Sequence, residues 1–243
     1  MKQMHKKNLL AFSLLWIGVY VVGFSLADGI SETLGTVKMI TLPFGFLMTG
    51  VLVAFLVKNG LTAQYGLHRC RLNIRQSLLY FPLILMASVN LWGGVKLNLS
   101  VSETVLSILT MILVGFLEEL IFRGFLFTAM RKNNLKVAVI VSSVTFGIGH
   151  IVNLLNGAPL AETLLQVVYA TAAGFLFTVI FLRGGSLWPC IIAHSAINTL
   201  SVIAGPQSEF LQMTTAAVLT LISLLYGIWI LKETKPRDTT DCT

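Results

Sequence analysis

The sequence predicts an all-α polytopic membrane protein, a bundle of about eight transmembrane helices with its active site inside the bundle. Three observations predict it. Of the 243 residues, 56% are hydrophobic and only 11% charged, against about a quarter charged in an ordinary soluble domain. The apolar residues gather into runs long enough to cross a bilayer. Lys and Arg concentrate in alternate connections between those runs, as cytoplasmic loops require. No soluble appendage or low-complexity linker interrupts the pattern, so residues 1–243 read as a single transmembrane domain.

The elements follow in order. After Lys2, Lys6 and Lys7, an apolar run at 9–27 forms the first span. Ser25-Leu26-Ala27 resembles a small-x-small cleavage site, but the run exceeds the 7–15 residues usual in a signal peptide, so retention is expected. Further spans are expected at 39–57, 77–95, 103–130, 137–155, 162–182, 187–204 and 209–231. Pro43, Pro82 and Pro189 fall within or at the starts of these segments and predict kinks or helix starts.

With eight spans, 14 of the 17 basic residues lie on one side: Lys2, Lys6, Lys7, Lys58, Arg69, Arg71, Arg75, Arg131, Lys132, Lys136, Arg183, Lys232, Lys235 and Arg237. The other side has Lys38 and Lys96, and Arg123 lies within a span. Both termini are therefore expected in the cytoplasm, in the manner of a bacterial inner-membrane protein, with 232–243 as a cytoplasmic tail. The net charge of +7 reports this topology and not a nucleic-acid partner. The basic loop 58–76 reads either as topology signal or as an amphipathic segment on anionic headgroups. Cys70, Cys190 and Cys242 are too dispersed for a disulfide framework or thiolate metal site.

The fourth span carries Glu118, Glu119 and Arg123 inside an apolar run. Each such residue costs roughly 2.5–3.5 kcal/mol at the centre of a lipid-exposed helix, so all three must face protein or water and pair. Glu119 and Arg123 have the favoured acid-first i,i+4 spacing for a helical ion pair. Glu118 points about 100° away in an α-helix and has no local partner. The fifth span carries His150 after Phe146, with Asn153 a turn later; the seventh carries His194 and Asn198 on one face. Gly147 and Gly149 offer close helix approach beside His150. A lone intramembrane imidazole commonly makes only an interhelical hydrogen bond, but an acid and two imidazoles on three spans indicate a functional site.

Several chemistries are excluded. An aspartyl protease needs two membrane-embedded aspartates, whereas Asp28, Asp238 and Asp241 sit at predicted loop or tail positions. There is no serine elbow and no H-E-x-x-H. A carboxylate and imidazoles acting on water remain: Glu118 and His150 deprotonating it, His194 and Asn198 donating to a developing oxyanion, in peptide hydrolysis.

E-E-x-x-x-R at Glu118, Glu119 and Arg123, F-x-x-x-H at Phe146 and His150, and H-x-x-x-N at His194 and Asn198, in this order on successive apolar segments, resemble the CPBP family. This family comprises CaaX prenyl-protein endoproteases and bacteriocin-processing or immunity proteins, also called Abi. The resemblance covers about 104–204 as a catalytic core, including the tract Gly184 to Pro189. It implies an eight-helix intramembrane endopeptidase with the roles just given, Glu119 and Arg123 as a structural pair, and a membrane-embedded or lipidated peptide or protein as substrate. Family members have been described both as metalloproteases and as metal-free glutamate proteases. Glu118, His150 and His194 also make a three-ligand zinc set with an open water position. Two other classes compete: a non-catalytic immunity or membrane-binding protein, and a small proton-coupled transporter, which the lack of an evident inverted repeat disfavours.

Overall fold

The structure is a computed structural model describing residues 1–68 and 80–233. The first helix, α1 (Lys2–Lys7), is a short basic turn. Six helices are long and apolar enough to cross a membrane: α2 (Leu9–Thr33), α3 (Thr41–Lys58), α5 (Val101–Met130), α6 (Leu135–Leu154), α7 (Leu160–Gly184) and α9 (Glu209–Glu233). Between them lie two shorter helices, α4 (Phe81–Leu91) and α8 (Trp188–Val202). No strand occurs among the described residues beyond one isolated bridge between Val95 and Ala204. The protein is an all-α, multi-pass membrane protein.

All eight predicted segments are helical, but the third and seventh fall short of the others. The 15 residues of α8 span only about 22 Å at 1.5 Å per residue, less than a hydrocarbon core of about 30 Å. Pro82 and Pro189 occupy the first turns of these two helices, and Pro43 the first turn of α3, where a missing N–H costs nothing. At their far ends both short helices give way to loops that pair with each other. The Lys96 amide donates to the Ile203 carbonyl and the Gly205 amide to that of Gly94, each at 2.9 Å. Asn90 of α4 donates to the Ile197 carbonyl of α8 at 2.7 Å.

Aromatic residues at four-residue intervals give α2 its buried stripe: Phe12, Trp16, Tyr20 and Phe24, flanked by exposed Leu14, Leu15, Val22 and Leu26. That stripe packs against the middle of α5, while the exposed residues have the apolar character of a lipid-facing surface. Asp28, expected in a loop, lies within α2 and takes Lys38 at 2.8 Å. Glu103 completes a capping box at the start of α5 and also accepts the Val37 amide. The first part of the basic loop is packed and not splayed on a surface: Tyr65 is fully buried, its hydroxyl meets His5 Nε2, and the Leu187 amide donates to the Gly66 carbonyl. Burial pushes the Tyr65 phenol above, and the His5 imidazole below, their ordinary ranges. Residues 69–79 with Cys70, and the tail from 234 with Cys242, lie outside the described residues; Cys190 is a buried free thiol.

Small residues set the closest helix crossings. A Cβ on Gly115 would lie 2.5 Å from Ser195 Oγ and 2.7 Å from its amide nitrogen, which brings α8 directly onto α5. One on Gly147 would lie 1.9 Å from Thr171 Oγ1 and 2.8 Å from the Val167 carbonyl oxygen. Gly149, expected to serve the same purpose, has open space where its Cβ would be. Gly115→Ala and Gly147→Ala should therefore each destabilise the fold by about 1–3 kcal/mol. Both should lower the thermal unfolding midpoint in detergent, with Gly149→Ala unchanged.

Candidate active site

Helix α5 changes its winding where its charges begin. It is α-helical from Val101 to Glu118, π-helical from Glu119 to Phe127, and α-helical again at Thr128–Met130. Every residue of the π segment is buried. The wider i→i+5 winding alters which carbonyls are fully used. Two take hydroxyl donors: Ser142 of α6 donates to the Phe122 carbonyl at 2.9 Å and Thr128 to that of Arg123 at 3.4 Å.

Within this segment Arg123 Nη1 donates to Glu119 Oε1 at 2.9 Å, and both side chains are fully buried. The guanidinium lies over the Phe146 ring, 4.1 Å from its centroid, and 5.6 Å from that of Phe177. These ring faces supply the cation–π stabilisation that a buried cation needs. A Cβ on Gly174 would stand 3.1 Å from Arg123 Nη2, so α7 approaches the guanidinium closely at that position.

His194 connects the two acids. Its Nδ1 is 2.8 Å from Glu119 Oε1 and its Nε2 is 3.3 Å from Glu118 Oε2. Glu119 Oε1 already accepts from Arg123, so at this contact Nδ1 is the donor. His194 Nε2 then faces Glu118, with one proton shared across a longer and weaker contact. The other Glu118 oxygen, Oε1, accepts the Tyr20 hydroxyl of α2 at 2.8 Å. The Glu118 and His194 side chains are 12% and 6% exposed, so the acid retains a small opening.

His150 begins the 3-10 turn that ends α6. Its Nδ1 lies 3.2 Å from the Phe146 carbonyl, which has no proton to give. The ring therefore carries its proton on Nδ1 and presents the Nε2 lone pair. Phe146 organises the surroundings: its ring meets His150 at 5.2 Å, His194 at 5.5 Å and Phe122 at 5.5 Å, all edge-on, with Arg123 above its face. The two imidazoles thus border one ring.

The structure gathers Glu118, Glu119, Arg123, Phe146, His150 and His194 around one centre. Asn198 follows His194 by one turn of α8 and is half-buried, but its side chain joins no hydrogen bond to this cluster. Asn153, next to His150 in the sequence reading, donates instead to Gln166 of α7 at 2.8 Å. Tyr20 was not singled out from the sequence. Its only signal is a hydroxyl within an aromatic repeat that otherwise reads as packing.

The zinc set considered from the sequence, Glu118, His150 and His194, is not gathered as a metal site among the described residues. Both His194 nitrogens face carboxylates, His150 Nδ1 faces a carbonyl, and no group of three or more His, Cys, Asp or Glu side chains suited to a metal occurs among the described residues.

Residues 100–200 match the family model described as Rce1-like, type II CAAX prenyl endopeptidase. Comparison with curated proteins and with solved structures gave no match. The matched stretch contains all three sequence motifs, agrees with the CPBP resemblance, and carries every member of the cluster except Tyr20. Over its α5–α8 core, residues 100–200, the chain is thus similar to the Rce1-like type II CAAX prenyl endopeptidases, consistent with the CPBP resemblance.

Proposed function

We propose that this protein is a metal-free intramembrane endopeptidase that hydrolyses a peptide bond of a membrane-associated or lipidated substrate, of CaaX or peptide-precursor type, at Glu118. The observation that carries the reading is the difference between the two adjacent acids. Glu119 is fully buried and committed to Arg123 and His194. Glu118 keeps partial exposure and stands beside His194, which shares the Phe146 ring with His150. A strut and a reactive acid have been separated within one dipeptide.

Water held between Glu118 and the free Nε2 of His150 loses a proton to Glu118 as its oxygen attacks the scissile carbonyl. The carbonyl oxygen becomes the oxyanion. His194 Nε2–H turns toward it, since its contact with Glu118 is the loose one, while Glu119 holds Nδ1 in place. Asn198, one turn on, supplies the second donor from its amide. Collapse of the tetrahedral intermediate breaks the C–N bond, and the proton held by Glu118 passes to the departing amine. The basic end of the bundle, with both termini, faces the cytoplasm of a bacterial-type membrane.

Glu118→Gln and His150→Ala should each reduce cleavage of a prenylated C-a-a-X reporter peptide in proteoliposomes by at least about 100-fold, with the thermal midpoint retained. Wild-type turnover in either folded variant counts against this mechanism. Activity should survive dialysis against EDTA and 1,10-phenanthroline; loss on chelation with recovery on added zinc would establish metal dependence. Glu119→Gln or Arg123→Met alone should cost about 3–5 kcal/mol, since each leaves an unpaired buried charge. Unfolding midpoints should show the double variant recovering part of that loss.

A further inference from the structure

We propose that Tyr20, on the first membrane helix and outside the matched 100–200 segment, is a positioning residue that clamps the Glu118 carboxylate for water activation. The inference rests on the reading of Glu118 as the catalytic acid given above.

Packing requires the Tyr20 ring but not its hydroxyl. The ring belongs to the buried α2 stripe and stacks obliquely on Phe24, 4.8 Å between centroids, where Phe would fill the same space. The hydroxyl is the added feature, and a buried phenol needs a polar partner. That partner is Glu118 Oε1 at 2.8 Å, 98 positions away in the chain.

The second Glu118 oxygen faces His194 Nε2 at 3.3 Å. The carboxylate is therefore held at both oxygens, by α2 through Tyr20 and by α8 through His194. Tyr20 makes the shorter of the two contacts, so the phenol chiefly determines the rotation of the carboxylate plane. Each carboxylate oxygen has two acceptor positions, and one protein partner on each leaves room for water. Without the phenol, a carboxylate on two flexible methylenes is free to turn away from His150, and the geometry for attack on a carbonyl is lost. Small misplacements of this kind carry large rate penalties. The rate then depends on a contact that Tyr20 makes with Glu118, and never with substrate.

The test combines kinetics with a chemical probe. In proteoliposomes, using a farnesylated peptide ending in a C-a-a-X tetrapeptide, Tyr20→Phe should lower kcat about 10- to 100-fold, as expected for loss of one hydrogen bond to a charged group. KM and the thermal midpoint should not change. In a Glu118→Gln background, Tyr20→Phe should cause no further fall. Wild-type kcat for Tyr20→Phe beside an inactive Glu118→Gln overturns this inference alone; full activity of Glu118→Gln overturns the reading beneath it. Labelling by dicyclohexylcarbodiimide, quantified at Glu118 by mass spectrometry, requires no substrate. It should rise several-fold in Tyr20→Phe because Oε1 is uncovered, and labelling equal to wild type also overturns the clamp.

Discussion

The structure depends on a fully buried ion pair, Glu119 with Arg123 at 2.9 Å. Ions of this kind cost several kcal/mol each to desolvate, and their attraction offsets the cost only when further partners are supplied. Here the partners come from three other helices. Phe146 of α6 and Phe177 of α7 place ring faces near the guanidinium, and His194 of α8 donates to the carboxylate. The pair is thereby a fastening point at which α5, α6, α7 and α8 meet, and shifting any one of them leaves charge uncompensated.

The candidate site is built outward from this point. Glu119 orients the His194 ring, the ring presents its other nitrogen to Glu118, and the Phe146 that supports Arg123 also flanks His150. Glu118, the acid proposed to react, thus stands one peptide bond from the fully buried Glu119. In the proposed mechanism this arrangement supplies preorganisation, because the groups that would meet developing charge are held in place before substrate arrives.

Much of this was legible in the sequence. Hydropathy located all eight helical segments, and the cost of charge in lipid required Glu119 and Arg123 to pair. Two matters were not legible. Segment length does not report where a helix stops, and α4 and α8 end early because their loops pair at Val95 and Ala204. Tyr20 was hidden because aromatic residues at four-residue spacing are explained fully by burial, and its partner Glu118 lies 98 positions away. Asn153 illustrates the opposite error: near His150 in sequence, it is drawn aside to Gln166 by a closer partner.

The π-helical stretch from Glu119 to Phe127 changes what a motif spacing means. In a sequence pattern, the three residues between Glu119 and Arg123 measure distance along the chain, while an α-helical reading converts them into an angle. Where the winding widens, that conversion changes, because an i→i+5 coil turns each residue by less than the roughly 100° of an α-helix. Position 124 is Gly, where a Cβ would lie 3.1 Å from Leu120 Cδ1 and 3.5 Å from Leu187 Cδ1. Removing a single residue from this stretch would change the winding on which these contacts depend. The motif is therefore a fixed count of residues fitted to an unusual coil, and its length is as strictly constrained as its charges.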